Sequence, residues 1–154
     1  MTQTRILVAD DSTEWSKPFC DFLERWGYRA ESVATGKDLM DSIQSNPDAH
    51  DILIVDNSMP EHEGAAELPY CGVLIVGRLV AHFRTQEQFP AILEHVIVRS
   101  IYSREDLKDL RREGDPETQA GCDQVAVWLD RNVTLDELMG SITRLANAAK
   151  VRRR

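Results

Sequence analysis

The feature that most constrains the fold is a short run of branched apolar residues, 52–55, which ends in the acid Asp56. A strand that is buried on both faces, as in a parallel sheet, is apolar throughout and does not alternate with polar residues. The acid would then emerge at the carboxyl end of the strand, where open α/β sheets place their ligands. The run therefore predicts a central parallel strand that carries a functional group at its end.

Runs of this kind alternate with amphipathic stretches along most of the chain. Strand–helix alternation predicts an α/β domain with a doubly wound, five-stranded parallel sheet and helices on both faces. Two stretches that contain Gly and Pro, 61–71 and 114–121, are predicted to be loops. The predicted strands are 5–9, 28–34, 52–56, 95–100 and 125–129, and the predicted helices include 72–84 and 103–113.

Polar side chains end several of the predicted strands at the same, carboxyl, end. Asp10 and Asp11 follow the first strand, Ser100 ends the fourth, and Arg131 follows the fifth. Because the carboxyl ends of parallel strands share one edge of the sheet, we expect these groups to converge on Asp56. Three carboxylates repel one another unless a cation lies among them, and a set of oxygen ligands favours Mg²⁺. A hydroxyl and a cationic side chain opposite would stabilise an anion.

Composition argues against several other classes of function. The chain of 154 residues is 42% hydrophobic and 29% charged, which is typical of a globular domain, and no apolar run is long enough to span a bilayer. The net charge of −8 disfavours direct nucleic-acid binding, which needs a cationic surface. Three widely spaced cysteines favour a reducing, cytoplasmic location. No glycine-rich dinucleotide-binding motif follows the first strand.

These motifs together resemble the receiver domain of bacterial response regulators, over nearly the whole chain. Residues 6–12 match the first strand and its acidic pair, and Asp56-x-x-Met-Pro-x-x-x-Gly64 matches the phosphoacceptor segment. In the second half, Ser100 falls where the family has Thr or Ser. Alignment of the last helix places Arg131 at the family's lysine and Trp128 at its switch aromatic. The family's sheet has the strand order 2-1-3-4-5, and the resemblance implies that order here.

The resemblance implies a switch driven by phosphorylation. Asp56 would accept a phosphoryl group from a histidine kinase or a phosphotransfer protein, without turnover of an external substrate. Ser100 would then bond a phosphoryl oxygen, and Trp128 would rotate into the space that the Ser100 loop leaves. The implied Mg²⁺ ligands are Asp11, Asp56, the backbone carbonyl of Ser58 and, through a water molecule, Asp10.

The same resemblance assigns partners and boundaries. A downstream protein target would bind the face formed by the fourth helix, the fifth strand and the fifth helix. We expect one receiver-like domain over residues 1–148, followed by a short basic tail, 149–154. No direct contact with nucleic acid or membrane is expected, and the location implied is the cytoplasm.

Two alternatives to the phosphorylation switch stay open, and the first is motivated by departures from the family pattern. Arg131 replaces lysine and is followed by Asn132 where the family has proline, and the connections on either side of Ser100 are longer than usual. One alternative is therefore a pseudo-receiver, an interaction module that does not use phosphate. The other is an aspartyl-phosphate hydrolase, but such enzymes have a second acid two residues after the nucleophile, and position 58 is Ser.

Overall fold

The computed structural model of the protein describes residues 3–110 and 115–152. Within these ranges five strands form one all-parallel sheet in the order β2-β1-β3-β6-β7, which confirms the predicted 2-1-3-4-5 order. Two shorter strands, β4 and β5, form a separate antiparallel pair. In chain order the elements are β1 (Arg5–Ala9), α1 (Thr13–Arg25), β2 (Arg29–Val33), α2 (Gly36–Ser45), β3 (Ile52–Asp56), β4 (Met59–Pro60), β5 (Glu67–Leu68), α3 (Cys71–Phe83), a 3₁₀ turn (Ala91–Glu94), β6 (Val96–Ser100), α4 (Arg104–Leu110), α5 (Pro116–Gln124), β7 (Val127–Asp130) and α6 (Leu135–Arg152).

Strand β3 lies at the centre of the sheet, between β1 and β6, and all five of its residues are buried. Its side chains alternate between two cores. Ile52 and Ile54 pack with α1 and α6, whereas Leu53 and Val55 pack with α2 and α3. Because successive strand residues point to opposite faces, Asp56 shares the face of Ile52 and Ile54, towards α1 and α6.

The loop predicted at 114–121 is wrong over most of its length, because α5 begins at Pro116 and extends to Gln124. Asp115 caps this helix by accepting hydrogen bonds from the amides of the second and third residues after it. Pro116 is therefore a first-turn proline, which a helix tolerates. Gly121 lies against α3, where an added Cβ would stand 1.7 Å from the carbonyl oxygen of Val73. Gly77 of α3 meets the carbonyl oxygen of Glu117 in the same way. Close helix packing, and not a turn, explains these glycines.

Three other predictions need refinement. The loop predicted at 61–71 contains β5, which pairs with β4 through Met59–Leu68 and Pro60–Glu67. The fourth predicted helix is present as α4, and residues 111–114 lie outside the described residues. Residues 149–152 of the predicted basic tail form the last part of α6, which ends at Arg152. No helix in the described part of the chain is long and apolar enough to cross a membrane.

Candidate functional site

The carboxyl ends of β1 and β3 bring three acids together, as the sequence predicted. One ligand oxygen from each of Asp10, Asp11 and Asp56 lies within 4.8 Å of the others. Asp10 and Asp56 are buried, with 3% and 2% of their surfaces exposed, while Asp11 is half-buried. The adjacent parallel strands β1 and β3 end at this edge, so the sheet itself holds the carboxylates close together.

The two oxygens of Asp56 have different surroundings. Its Oδ1 accepts a hydrogen bond of 3.0 Å from the amide of Ser58. Its buried Oδ2 accepts no hydrogen bond from any residue in the described ranges, and the nearest cation, a guanidinium nitrogen of Arg131, is 3.6 Å away. Burial, with a further contribution from the charge of Asp10, raises the pKa of Asp56 to about 6. An oxygen of this kind is suited to bind a cation or to act as a nucleophile.

Asp10 is a more completely paired acid. Its Oδ1 accepts a hydrogen bond of 2.8 Å from the amide of Ser12, and its Oδ2 lies 3.3 Å from a guanidinium nitrogen of Arg99. Burial raises the pKa of Asp10, and both of these partners oppose the rise. Asp10 therefore already has a cation, the Arg99 guanidinium, beside its carboxylate.

That cation, Arg99, was missed by the sequence analysis. It lies opposite Asp56 in the β3–β6 register and is 7% exposed. Its guanidinium also donates a hydrogen bond of 3.1 Å to the carbonyl of Arg131 and lies 3.7 Å from the centre of the Trp15 ring. A signal was present, because Arg99 is two residues after Ile97 and so faces the α1–α6 layer with Asp56.

Glu67 is a second residue that the sequence analysis missed, and it is an acid. It lies on β5, and its carboxyl is within hydrogen-bonding reach of Asp11. This hydrogen bond is the largest of the effects that raise the pKa of Glu67 to about 7. Sequence periodicity gave no warning, because the contact depends on the short β4–β5 pair that folds Glu67 back over the acids.

The predicted hydroxyl, Ser100, is near the acids but contacts Asn57. Its Oγ is 3.5 Å from the side-chain nitrogen of Asn57 and accepts a hydrogen bond of 3.1 Å from the amide of Tyr102. The indole of Trp128 donates a hydrogen bond of 3.0 Å to the carbonyl of the same Tyr102. Ser100 and Trp128 are thus joined through one loop residue, while their roles in switching stay predictions.

The acids fit a divalent metal ion. Three carboxylates converge, and one of them carries a buried oxygen without a hydrogen-bond donor among residues 3–110 and 115–152. Hard cations such as Mg²⁺ prefer this all-oxygen donor set. The part predicted for the carbonyl of Ser58 stays a prediction, since the structure records only the contribution of its amide.

Comparison with known proteins gives structural matches and no sequence match. Neither a protein-family model nor a curated protein matches the chain. The signal receiver domain of a protein named as a LuxO repressor from Vibrio parahaemolyticus is 18% identical with a TM-score of 0.69, and the match covers 99% of this chain and 96% of that one. A receiver domain protein from Methanospirillum hungatei is 16% identical, with a TM-score of 0.69 and coverage of 98% and 99%.

A third match is to the response regulator TrrA from Thermotoga maritima, solved in complex with Mg²⁺ and BeF. It is 20% identical, with a TM-score of 0.62, and the match covers 93% of this chain and 99% of TrrA. Identities at this level establish the fold alone. The chain therefore has the CheY-like fold of response regulator receiver domains, as its motifs predicted.

Proposed function

We propose that the protein is a phosphoacceptor module of a two-component phosphorelay, in which Mg²⁺-dependent phosphorylation of Asp56 changes its binding to a partner protein. The observation that carries this proposal is the buried Oδ2 of Asp56. This oxygen accepts no hydrogen bond within the described ranges, and two other carboxylates lie beside Asp56, so the site is suited to a cation. A receiver fold that covers nearly the whole chain supports the signalling role.

The chemistry requires little more than positioning. A carboxylate oxygen of Asp56 would attack the phosphorus of a phosphohistidine on a histidine kinase or a phosphotransfer protein. The P–N bond breaks, its electron pair stays on the imidazole nitrogen, and a P–O bond forms on Asp56. Asp11 and Asp56, with Asp10 through a water molecule, would hold Mg²⁺, which when bound would neutralise the carboxylates and the phosphoryl oxygens. Arg131, 3.6 Å from Asp56, supplies positive charge on the other side.

Transmission would use the loop between β6 and α4. A phosphoryl oxygen on Asp56 would accept a hydrogen bond from the Ser100 hydroxyl and draw that side chain towards it. The Tyr102 amide donates to the same hydroxyl and the Tyr102 carbonyl accepts from Trp128, so the displacement would be passed to the loop and the indole. Movement of this loop would therefore reach the surface formed by α4, β7 and α6, where we place the downstream protein target. We expect phosphorylation and target binding to occur in the cytoplasm, without direct contact between this protein and nucleic acid.

A pseudo-receiver is the second candidate, favoured by the two guanidinium groups at the site. Arg99 pairs with Asp10 and Arg131 lies near Asp56, so part of the acidic charge is compensated without a metal ion. A hydrolase is less well supported because Ser58 offers no acid two residues after Asp56. We therefore do not propose turnover of a phosphomonoester.

The test is covalent labelling. The wild type and Asp56→Asn are incubated with a small-molecule phosphoryl donor and Mg²⁺, and the intact protein is weighed by mass spectrometry. We expect one phosphoryl group on the wild type and none on the variant. Asp48→Asn, in the exposed turn after α2, serves as a matched carboxylate control and should be labelled like the wild type. Equal labelling of wild type and Asp56→Asn would reject the assignment, and failure to label the wild type would favour the pseudo-receiver.

A further inference from the structure

The Arg99 guanidinium is an unusual component of a cation-binding site, because it is itself a buried cation. Its side chain is 8% exposed and lies on the same face of the sheet as Asp10 and Asp56. One of its terminal nitrogens is 3.3 Å from Asp10, and the other donates to the Arg131 carbonyl. Its buried Nε has no hydrogen-bond partner in the described part of the chain.

This placement puts Arg99 in competition with any metal ion at the acids. The carboxylate of Asp10 cannot attract a divalent cation, directly or through a water molecule, and keep its full interaction with the guanidinium. The two cations also repel each other across a buried, weakly screened distance, where Coulomb interactions are several times stronger than in water. The Trp15 ring at 3.7 Å and the hydrogen bond to Arg131 limit how far Arg99 can retreat.

We propose that Arg99 is an internal counter-cation that sets the metal affinity of the site by competing with the metal ion for Asp10. The inference rests on the proposed metal site and deepens it by naming the residue that tunes it. Without metal, Arg99 keeps the buried acids close together at a tolerable electrostatic cost. With metal, the Arg99–Asp10 pair has to weaken, so Mg²⁺ binds less tightly than the three carboxylates alone would allow.

The test is a Mg²⁺ titration of the metal-free full chain by calorimetry, for the wild type and three arginine variants. Arg99→Met removes the charge but keeps a long apolar side chain against Trp15, and we expect Mg²⁺ to bind roughly tenfold more tightly. Arg99→Lys keeps the charge and should stay close to wild type. Arg5→Met, which removes an arginine that pairs with Asp51 at the opposite end of the sheet, should leave Mg²⁺ affinity unchanged.

A double-mutant cycle separates competition from a general structural role. If Arg99 acts through Asp10, then Arg99→Met should change the affinity much less in an Asp10→Asn background. Unchanged or weaker Mg²⁺ binding by Arg99→Met, with binding by the wild type intact, would overturn the inference and leave the proposed function standing. Absence of Mg²⁺ binding in every variant would overturn the metal site itself. If Arg99→Met does not fold, Arg99→Gln is titrated in its place and interpreted in the same way.

Discussion

Strand β3 has one aspartate at each end, and the two differ in how many hydrogen bonds their carboxylates accept. This difference distinguishes an acid that supports the fold from an acid of the candidate site. Asp51 precedes the strand and Asp56 is its last residue, and both are almost fully buried. The carboxylate of Asp51 accepts hydrogen bonds from the backbone amide of Arg5 at 2.8 Å and from its guanidinium at 3.2 and 3.4 Å. From the described residues, Asp56 accepts one hydrogen bond, from the amide of Ser58. Equal burial thus accompanies very different degrees of pairing.

This contrast indicates what each acid does. A buried carboxylate with several donors links two strands and stabilises the fold, because its charge is compensated locally. A buried carboxylate with one unsatisfied oxygen is held there at the expense of stability, which is common at functional sites. The comparison therefore supports Asp56, and not Asp51, as the reactive group.

The largest expected effect is the loss of Asp51. Asp51→Ala leaves the Arg5 amide and guanidinium without their acceptor, so we expect the free energy of unfolding to fall by about 2–3 kcal/mol, less than for a fully buried pair because Arg5 is partly exposed. Urea denaturation measures it. Asp41→Ala, which removes an exposed ion pair with Lys37, is the control and should cause no measurable change. An Asp51→Ala protein as stable as the control would show that Asp51 does not stabilise the fold.

Asp56→Asn should raise the free energy of unfolding in metal-free buffer, in contrast to Asp51→Ala, which should lower it. The pKa of Asp56 is raised from 3.8 to about 6, so as pH rises from 4 to 6 the unfolded state loses its proton first and the folded state loses stability. Asparagine removes this penalty, and we expect a gain of at most about 3 kcal/mol at pH 8 that disappears below pH 4. Urea denaturation at several pH values checks the trend. A destabilised Asp56→Asn at pH 8 would contradict it.

Arg131→Ala should have the smallest effect on stability. Its side chain is 39% exposed and 3.6 Å from Asp56, so we expect a change below about 1 kcal/mol. Labelling of Asp56 should survive, whereas the conformational response should weaken. Hydrogen exchange at the Tyr102 amide, with and without phosphoryl donor, reports that response, and Arg131→Lys should restore it. An unchanged response in Arg131→Ala would show that Arg131 does not replace the family's lysine.

The sheet and the acids were predictable because their signals are local. The apolar run before Asp56 and the acids after β1 can each be recognised within a few residues, and parallel topology brings them together. Helix α5 was missed because proline and glycine occur both in loops and at particular positions of helices. Pro116 opens a helix and Gly121 allows close packing on α3, but both residue types also mark loops.

Arg99 and Glu67 were missed for a different reason. Their importance depends on partners distant in the sequence: Asp10 is 89 residues from Arg99, and Glu67 reaches Asp11 only through the β4–β5 pair. A charged residue in an apolar strand is ambiguous until the strand register is known. The three aspartates of the site could therefore be predicted from the sequence, but the charged residues that surround them could be identified only from the structure.

The most direct test of the central claim is binding of beryllofluoride with Mg²⁺, measured by the increase in thermal unfolding temperature for wild type, Asp51→Asn and Asp56→Asn. A ligand that binds only the folded state raises its stability in proportion to the logarithm of ligand concentration. We predict an increase for the wild type and for Asp51→Asn, from its lower starting temperature, and none for Asp56→Asn. A response by Asp56→Asn equal to that of the wild type, or none in the wild type, would contradict the assignment of Asp56 as the phosphoacceptor.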